Sequence, residues 1–426
     1  MALIVAKFGG TSVASPERIK MVAKRLISIK QQGNDVVAVV SAMGKTTDEL
    51  VGLAAALSKN PPAREMDRLL STGEQVSMTL LAMAIEAKGY RAMSFSGRQA
   101  GIQTSNAHGK AKIELIHADR IRDAIDRGII PVVAGFQGID HNGDITTLGR
   151  GGSDTTAVAV AYGIGADVCE IYSDVDGVYT ADPRVAPRAR KMDEISYDDM
   201  LELSSAGSGV LQARAVELAR KYNVVIHSRS AFSDAQGTLI KEADPSMEQA
   251  VISGIAHDTS EVKVTIRDAP DISGIAARIF SALAGNNVNV DMIIQNVSEQ
   301  GMTDMTFTCP GSDLPRAREV VENVIQQIGA RDYVVDENIA KVSLVGTGMK
   351  SSPGVAARAF TALADADVNI ILISTSPIRL SMVIAADQVE LAVRSLHTAF
   401  GLDSDSVFEE TMLSAEEIAA KKAKGR

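Results

Sequence analysis

The strongest constraint on the fold is a recurring unit, in which a continuous apolar run stops at a glycine or hydroxyl and gives way to a helical pattern. Leu3-Ile4-Val5-Ala6 stops at Lys7-Phe8-Gly9-Gly10-Thr11-Ser12, and Asp35 to Val40 stops at Ser41-Ala42-Met43-Gly44. The run from Ile129 stops at Gly135, and Asp167 to Tyr172 stops at Ser173-Asp174. Strands that read apolar throughout are buried on both faces, and strands joined through helices pair in parallel. The first unit is the clearest. Ser15 is placed as an N-cap, Pro16 at the first helical position and Glu17 in the first turn, and Ile19, Val22, Ala23, Leu26 and Ile29 then recur at helical spacing until Gly33. Residues 1–245 are therefore read as an α/β domain, a mostly parallel sheet with helices on both faces. Ligand chemistry is expected at the carboxyl ends of its strands.

Other signals fill in the domain. Met66 to Ala87 reads as a long helix interrupted at Ser71-Thr72-Gly73-Glu74, and Ala118 to Arg127 as another. His141-Asn142-Gly143-Asp144 is a hairpin turn, Asn223 to Ser228 a strand, and Gly237 to Ile240 a closing strand before a polar linker, Lys241 to Pro245. Arg91 to Ser96 and the stretch from Gly101 give no clear pattern.

The densest chemistry lies in Thr147-Leu148-Gly149-Arg150-Gly151-Gly152-Ser153-Asp154-Thr155-Thr156, followed by the apolar run Ala157 to Tyr162. Glycines let the backbone approach a ligand closely, Arg150 offers a planar fork of donors, and a helix N-terminus attracts anions. A tight turn with a helix cap is the plainer alternative. Lys7 beside Gly9 and Gly10 at a helix entry reads as a phosphate site, with a solvated lysine as its alternative. Gly44-Lys45-Thr46 is not a Walker loop, because Val39 stands where that motif needs glycine. Asp174 and Asp176 lack the rest of a calcium loop, and the 6 histidines show no metal-ligand spacing.

Composition narrows the class. A net charge of −10 argues against a general nucleic-acid binder, and no run approaches the roughly 20 apolar residues of a membrane span. Ala2 to Ala6 follows Met1 with no basic segment or cleavage site, which is read as no signal peptide. Two isolated cysteines, Cys169 and Cys309, fit buried thiols in a reducing cytoplasm.

The last third contains a repeat. Gly274-Ile275-Ala276-Ala277-Arg278-Ile279-Phe280-Ser281-Ala282-Leu283-Ala284 returns as Gly354-Val355-Ala356-Ala357-Arg358-Ala359-Phe360-Thr361-Ala362-Leu363-Ala364, and Val288-Asn289 as Val368-Asn369. A strand precedes each copy (Glu261 to Ile266; Lys341 to Val345), so a small α+β module is duplicated.

Lys7 to Ser12, Ser41 to Gly44, Thr72-Gly73-Glu74, Gly149 to Asp154, and Tyr172-Ser173-Asp174 through Asp182-Pro183-Arg184 occur together in that order. Over essentially its whole length the chain resembles the aspartate kinases of the amino-acid kinase superfamily, and the repeats resemble ACT domains, the amino-acid-sensing modules of biosynthetic enzymes. The resemblance implies a three-layer α/β/α kinase domain over residues 1–245 and two ferredoxin-like βαββαβ ACT domains. These take residues 246–338 and 339–413, with strand 406–413 a candidate to complete the first unit and a charged tail at 414–426. It implies ATP and L-aspartate as substrates and Mg²⁺ with the nucleotide, with no metal ligand assigned among the protein side chains. By motif, Lys7, Gly9, Gly10, Ser173, Asp174, Tyr179 and Arg184 serve ATP. Ser41, Thr47, Glu74, Arg150, Gly151, Gly152 and Ser153 serve aspartate, and Asp154 orients Lys7 or another donor rather than acting as a base. Where many members carry an ATP-contacting lysine this chain has Gly209.

The chemistry needs no general base, because a substrate carboxylate with a pKa of about 4 is already ionised at neutral pH. The resemblance further implies feedback by lysine, threonine or both at the ACT units, through Asp271, Gly274, Ile275, Asn289, Val290, Asp291 and Gln295 in the first, and Asn369, Ile370, Ser374 and Thr375 in the second. It implies a homo-oligomer formed through these units, with a short ACT-only subunit from an internal start at Met247. A module that only dimerises, a kinase for another acid and a non-catalytic sensor are the competing readings.

Overall fold

Apolar runs form the centre of an eight-stranded sheet in a computed structural model that describes residues 1–244, 251–296 and 301–403. In chain order the first domain contains β1 (Leu3–Phe8), α1 (Pro16–Gln31), β2 (Asp35–Val40), α2 (Thr46–Leu57), α3 (Ala63–Leu70), α4 (Thr72–Glu86), β3 (Ala92–Phe95), β4 (Ile102–Thr104), β5 (Ile113–Ile116), α5 (Asp119–Asp126), β6 (Ile130–Ala134), β7 (Gln137–Ile139), β8 (Ile145–Thr147), α6 (Gly152–Ile164), β9 (Val168–Ser173), β10 (Glu194–Ser196), α7 (Tyr197–Ser205), α8 (Ala213–Tyr222), β11 (Ile226–Ser230) and β12 (Thr238–Lys241). The main sheet runs β10-β12-β11-β9-β1-β2-β6-β3 and is parallel except between β11 and β12. The segment that carried no clear pattern supplies its edge strand β3 and much of a small sheet, β5-β4-β7-β8.

Alternation along the strands sorts residues between two cores. Ile4, Ala6 and Phe8 of β1 pack with Ile19, Val22 and Leu26 of α1, while Val5 packs on the other face with Ala157, Val158 and Ala161 of α6. The Ser15 hydroxyl caps α1 by accepting from the Arg18 amide, with Pro16 in the first turn. The helix read over residues 66–87 is two helices broken at Ser71, whose carbonyl accepts from Gln137 Nε2 at 2.9 Å. Asn223 lies outside the strand read over 223–228. Its left-handed backbone (φ 52°) ends α8, and β11 begins at Ile226. Lys241 belongs to β12 rather than to a linker and pairs with Glu194 at 2.6 Å.

The C-terminal half contains β13 (Gly254–Asp258), β14 (Glu261–Pro270), α9 (Ile275–Gly285), β15 (Ile293–Gln295), β16 (Met302–Pro310), α10 (Leu314–Ile328), β17 (Asp332–Asp336), β18 (Ile339–Val345), α11 (Val355–Asp365), β19 (Leu372–Ser376), β20 (Arg379–Ala385) and α12 (Val389–Ala399). Its sheets run β15-β16-β14-β17 and β13-β18-β20-β19. The boundary at residue 338 falls between β17 and β18, but the start of the first unit needs correction: 254–258 pair with β18 and lie in the second unit, while β17 closes the first from within. Every residue of β18 is buried, and it pairs along both edges, with β20 on one side and β13 on the other. Residues 406–413 and Met247 lie outside the described residues.

The second unit is fastened to the first domain. Asp199 of α7 accepts from Ser253 Oγ at 2.7 Å and from the Thr347 amide at 3.0 Å, and Arg379 meets Glu202 at 3.1 Å. The two C-terminal units share an ion cluster, in which buried Lys341 of β18 reaches buried Glu261 of β14 at 2.6 Å and the more exposed Asp291 at 2.5 Å. Burial favours the neutral amine, yet the two carboxylates hold Lys341 above its ordinary value. Breaking a buried pair strands its partner, at a cost of about 3–5 kcal/mol. Lys341→Met is therefore expected to destabilise the C-terminal half by that order, and adding Glu261→Gln to recover most of the loss. Urea unfolding followed by circular dichroism checks this, and equal losses in the single and double variants would contradict it.

Candidate active site

The sheet order brings four loops to one edge. Phe8 is in register with both Val40 and Tyr172, and Val40 with Ala134, so Gly9, Ser41, Ser173 and Gly135 follow one another along neighbouring strand ends. The same alternation that buries Val5 against α6 turns Lys7 to that side. Its ammonium meets Asp154, in the first turn of α6, at 2.6 Å, with side chains only 11% and 9% exposed. A Cβ on Gly9 would stand 3.6 Å from the Lys7 ammonium, and one on Gly10 only 2.9 Å from the Ala42 carbonyl. The Gly10 carbonyl accepts from the Gly44 amide at 3.0 Å, which ties the first two loops together.

The loop before α6 requires its glycines. Gly149 and Gly151 have φ of 77° and 66°, and a Cβ on Gly151 would lie 2.0 Å from Gln212 Cγ. Gly135 passes so close beneath Ser153 that a Cβ there would sit 2.7 Å from its hydroxyl. Phe136 is left-handed (φ 69°), its amide held by Thr156 Oγ1 at 3.1 Å. Ser153 and Gly152 thus open a helix whose first amides lack intrahelical partners. Arg150 is exposed and has no partner among the described residues.

Long-range contacts support this loop. Buried Asp67 accepts from Thr147 Oγ1, from the Gly109 amide at 3.0 Å and pairs with His108 Nδ1 at 2.7 Å. Arg214 donates to the Leu148 carbonyl at 2.7 Å and the Ala111 carbonyl at 2.6 Å. No local motif marks these residues. The only sequence signal is a charge, Asp67, inside an amphipathic helix.

Glu74 is not a solvated helix charge. It is 3% exposed, its Oε1 accepts from the Ala42 amide at 3.0 Å, and its Oε2 has no partner among the described residues. Burial pushes its pKa up to about 7, opposed by the backbone donors. Ser41 stands beside it, its carbonyl accepting from Ser77, and Thr47 lies half-buried in the first turn of α2.

On the other flank, Ser173 Oγ accepts from the Val175 amide and Asp174 is exposed. Tyr179 bridges to Lys191. Arg184 grips Asp182 with two nitrogens, at 2.7 and 3.0 Å, and this holds the Asp182 carboxyl below its usual range. At Gly209 a Cβ would meet nothing within 4 Å, so no steric demand for glycine explains the residue.

The amino acid kinase family matches residues 2–229, and ACT domains match residues 264–326 and 342–400. The aspartokinase of Mycolicibacterium smegmatis is 54% identical over 410 residues, 95% of this chain and 97% of that protein. That of Pseudomonas aeruginosa is 52% identical over 406 residues, 95% of this chain and 98% of that protein. The chain belongs to the aspartokinase family. Aspartate kinase from Synechocystis aligns at 42% identity and a TM-score of 0.52, over 96% of this chain and 71% of that one. Aspartokinase III of E. coli, solved with aspartate and ADP, shares the fold at 24% identity and a TM-score of 0.78, over 93% of this chain and 99% of that one.

The effector positions expected for an aspartokinase fall in two places. In the first unit Gly274 (φ 96°) opens α9, Ile275 is buried, and Gln295 donates to Asp271 at 3.4 Å. The Asn289 amide donates to Asp313, Val290 is half-buried, and Asp291 is engaged by Lys341 instead of standing free. In the second unit Thr375 lines a cavity of about 370 Å³ with Met349, Lys350, Ser352 and Gly354. Asn369, Ile370 and Ser374 are not in its lining.

The raised pKa of Glu74 gives a pH signature. The unfolded chain releases this proton near 4.5 and the folded chain near 7, so Glu74 lowers stability progressively as pH rises between those values, by up to about 3 kcal/mol, and no further above. Glu74→Gln should therefore gain stability over the unsubstituted protein as pH rises from 5 to 7.5. Thermal unfolding across that range measures it; a difference that does not change with pH would mean that Glu74 titrates normally.

Proposed function

We propose that this edge transfers the terminal phosphoryl group of ATP to the side-chain carboxylate of L-aspartate, giving 4-phospho-L-aspartate and ADP, the first step towards lysine, threonine, methionine and diaminopimelate. The arrangement of charge carries the reading: a nearly buried ammonium held by a helix-borne carboxylate, flanked by a buried carboxylate oxygen and an exposed guanidinium that have no partner among the described residues. Two anions must meet for this reaction, and the chain answers with Lys7, the α6 N-terminus and the backbone of Gly9 and Gly10. Asp154 aims the Lys7 ammonium. Arg150 clamps the substrate α-carboxylate with its fork, and Glu74 pairs its orphaned oxygen with the α-ammonium. Ser41, Thr47, Gly151, Gly152 and Ser153 complete the aspartate side; Ser173, Asp174, Tyr179 and Arg184 line the nucleotide side.

Among the described residues no group of three or more His, Cys, Asp or Glu could hold a metal. Mg²⁺ would enter with the phosphates of ATP, where it would supply charge neutralisation. No helix of the described residues is long and apolar enough to cross a membrane, and a cytoplasmic homo-oligomer joined through its ACT units, regulated by lysine, threonine or both, is part of the same reading.

Aspartate-dependent ADP release, measured with and without lysine and threonine, tests the function; no release with aspartate would end it. Lys7→Ala is expected to lower turnover by roughly 10²–10³, with circular dichroism unchanged. Arg150→Lys should raise the KM for aspartate more than that for ATP, because an ammonium cannot form the bidentate contact. An equal rise in both would move Arg150 to the nucleotide side.

A further inference from the structure

The loop after β9 has two halves with different surroundings. Its first half, Ser173 to Tyr179, stays with the kinase sheet, where the Val178 amide donates to Thr238 Oγ1 at 2.9 Å. Its second half is built into the second ACT unit. Ala181 and Ala186 are 3% exposed within that unit's apolar core, beside Val393 and Leu396 of α12. Arg394 of α12 donates to the Val185 carbonyl at 2.7 Å, and Arg190 donates to the Leu402 carbonyl at 2.9 Å.

Thr180 is the pivot between the halves. It is 5% exposed, and each of its polar groups is engaged. Its amide donates to the Arg190 carbonyl at 2.9 Å, and its carbonyl accepts from the Ile255 amide of β13 at 2.8 Å. Its hydroxyl accepts from the Arg190 amide at 3.0 Å and meets His397 Nε2 of α12 at 2.9 Å. His397 is 2% exposed; burial holds its pKa below the ordinary value, opposed by Asp403 and reinforced by Arg190. The hydroxyl and Nε2 thus share one buried hydrogen bond, whose donor follows the tautomer of the ring. Both partners from the regulatory unit thus act on the residue next to Tyr179.

We propose that His397 is a positioning residue for the nucleotide: through Thr180 it fixes the loop that carries Tyr179 and Arg184, so that the packing of the second ACT unit sets the affinity for ATP and not that for aspartate. Glu74, Arg150 and Ser41 lie on other strand ends and loops, none of which Thr180 touches. The proposal rests on the reading that Tyr179 and Arg184 serve ATP, and the test separates the two.

The experiment uses the full-length enzyme, with KM for each substrate, kcat, and calorimetric binding of MgADP. Thr180→Val keeps the shape and removes the hydroxyl, while Thr180→Ser keeps the hydroxyl. One buried hydrogen bond lost predicts a rise of roughly fivefold to tenfold in KM for ATP and in Kd for MgADP, with kcat and the KM for aspartate within about twofold and recovery in Thr180→Ser. Arg394→Ala, at an exposed side chain, releases the same loop at Val185 and should act in the same direction; it decides the matter if Thr180→Val does not fold. Equal rises for both substrates, or a loss confined to kcat, overturn the proposal. Tyr179→Ala is the control for the underlying reading. If it leaves MgADP binding unchanged, the loop does not serve ATP and the proposal falls with it; if it weakens binding while Thr180→Val and Arg394→Ala do not, only the role of His397 is rejected.

Discussion

The site depends on the parity of one strand. β1 alternates between two cores, and Lys7 falls on the side of α6, where Asp154 waits at 2.6 Å. A slip of one residue would send the ammonium into the apolar layer shared with α1 and bring Phe8 to the helix terminus. The parallel pairing of β1 with both β2 and β9 forbids that slip, because each neighbour is itself sorted between the two cores. An ion pair this buried adds little net stability, since desolvation offsets much of the attraction. Its effect is to hold a cation in place in a partly dry setting.

The same economy governs the glycine loop. Its conformation is imposed by close approach from several sides: Gly135 under Ser153, Gln212 against Gly151, and Gly109 near Gly149. Loop and helix N-terminus are therefore fixed by packing, while Arg150 alone projects into the open. The loop is thus a fixed cradle with one exposed guanidinium at its rim.

Much of this was legible in the sequence because it is local. Apolar runs ending in glycine, the Ser15-Pro16-Glu17 helix start and the break at Ser71 each depend on a few neighbouring residues, and the structure keeps them. What was not legible is what distant segments do to one another. Asp67 supporting Thr147, Arg214 reaching Leu148, and Lys341 drawing Glu261 and Asp291 together leave no trace in spacing. Glu74 looks like an ordinary helix charge until folding buries it. The repeat misled in one respect. The copied segment covers the helices, so it says nothing about which strand closes which sheet, and β13 joins the second unit across the whole of the first.

That exchange makes the first ACT unit an insertion, looped out between β13 and β18 of the second. Residues 254–403 alone would carry every strand of both regulatory sheets and none of the kinase sheet. In the whole chain, β13 is the edge of its sheet, and its outward Ile255 amide is covered by the Thr180 carbonyl. A regulatory piece detached from the kinase would present that edge bare. Unpaired strand edges recruit other strands, so the edge that the Thr180 loop covers in one molecule becomes, in the fragment, a place where another chain can add on.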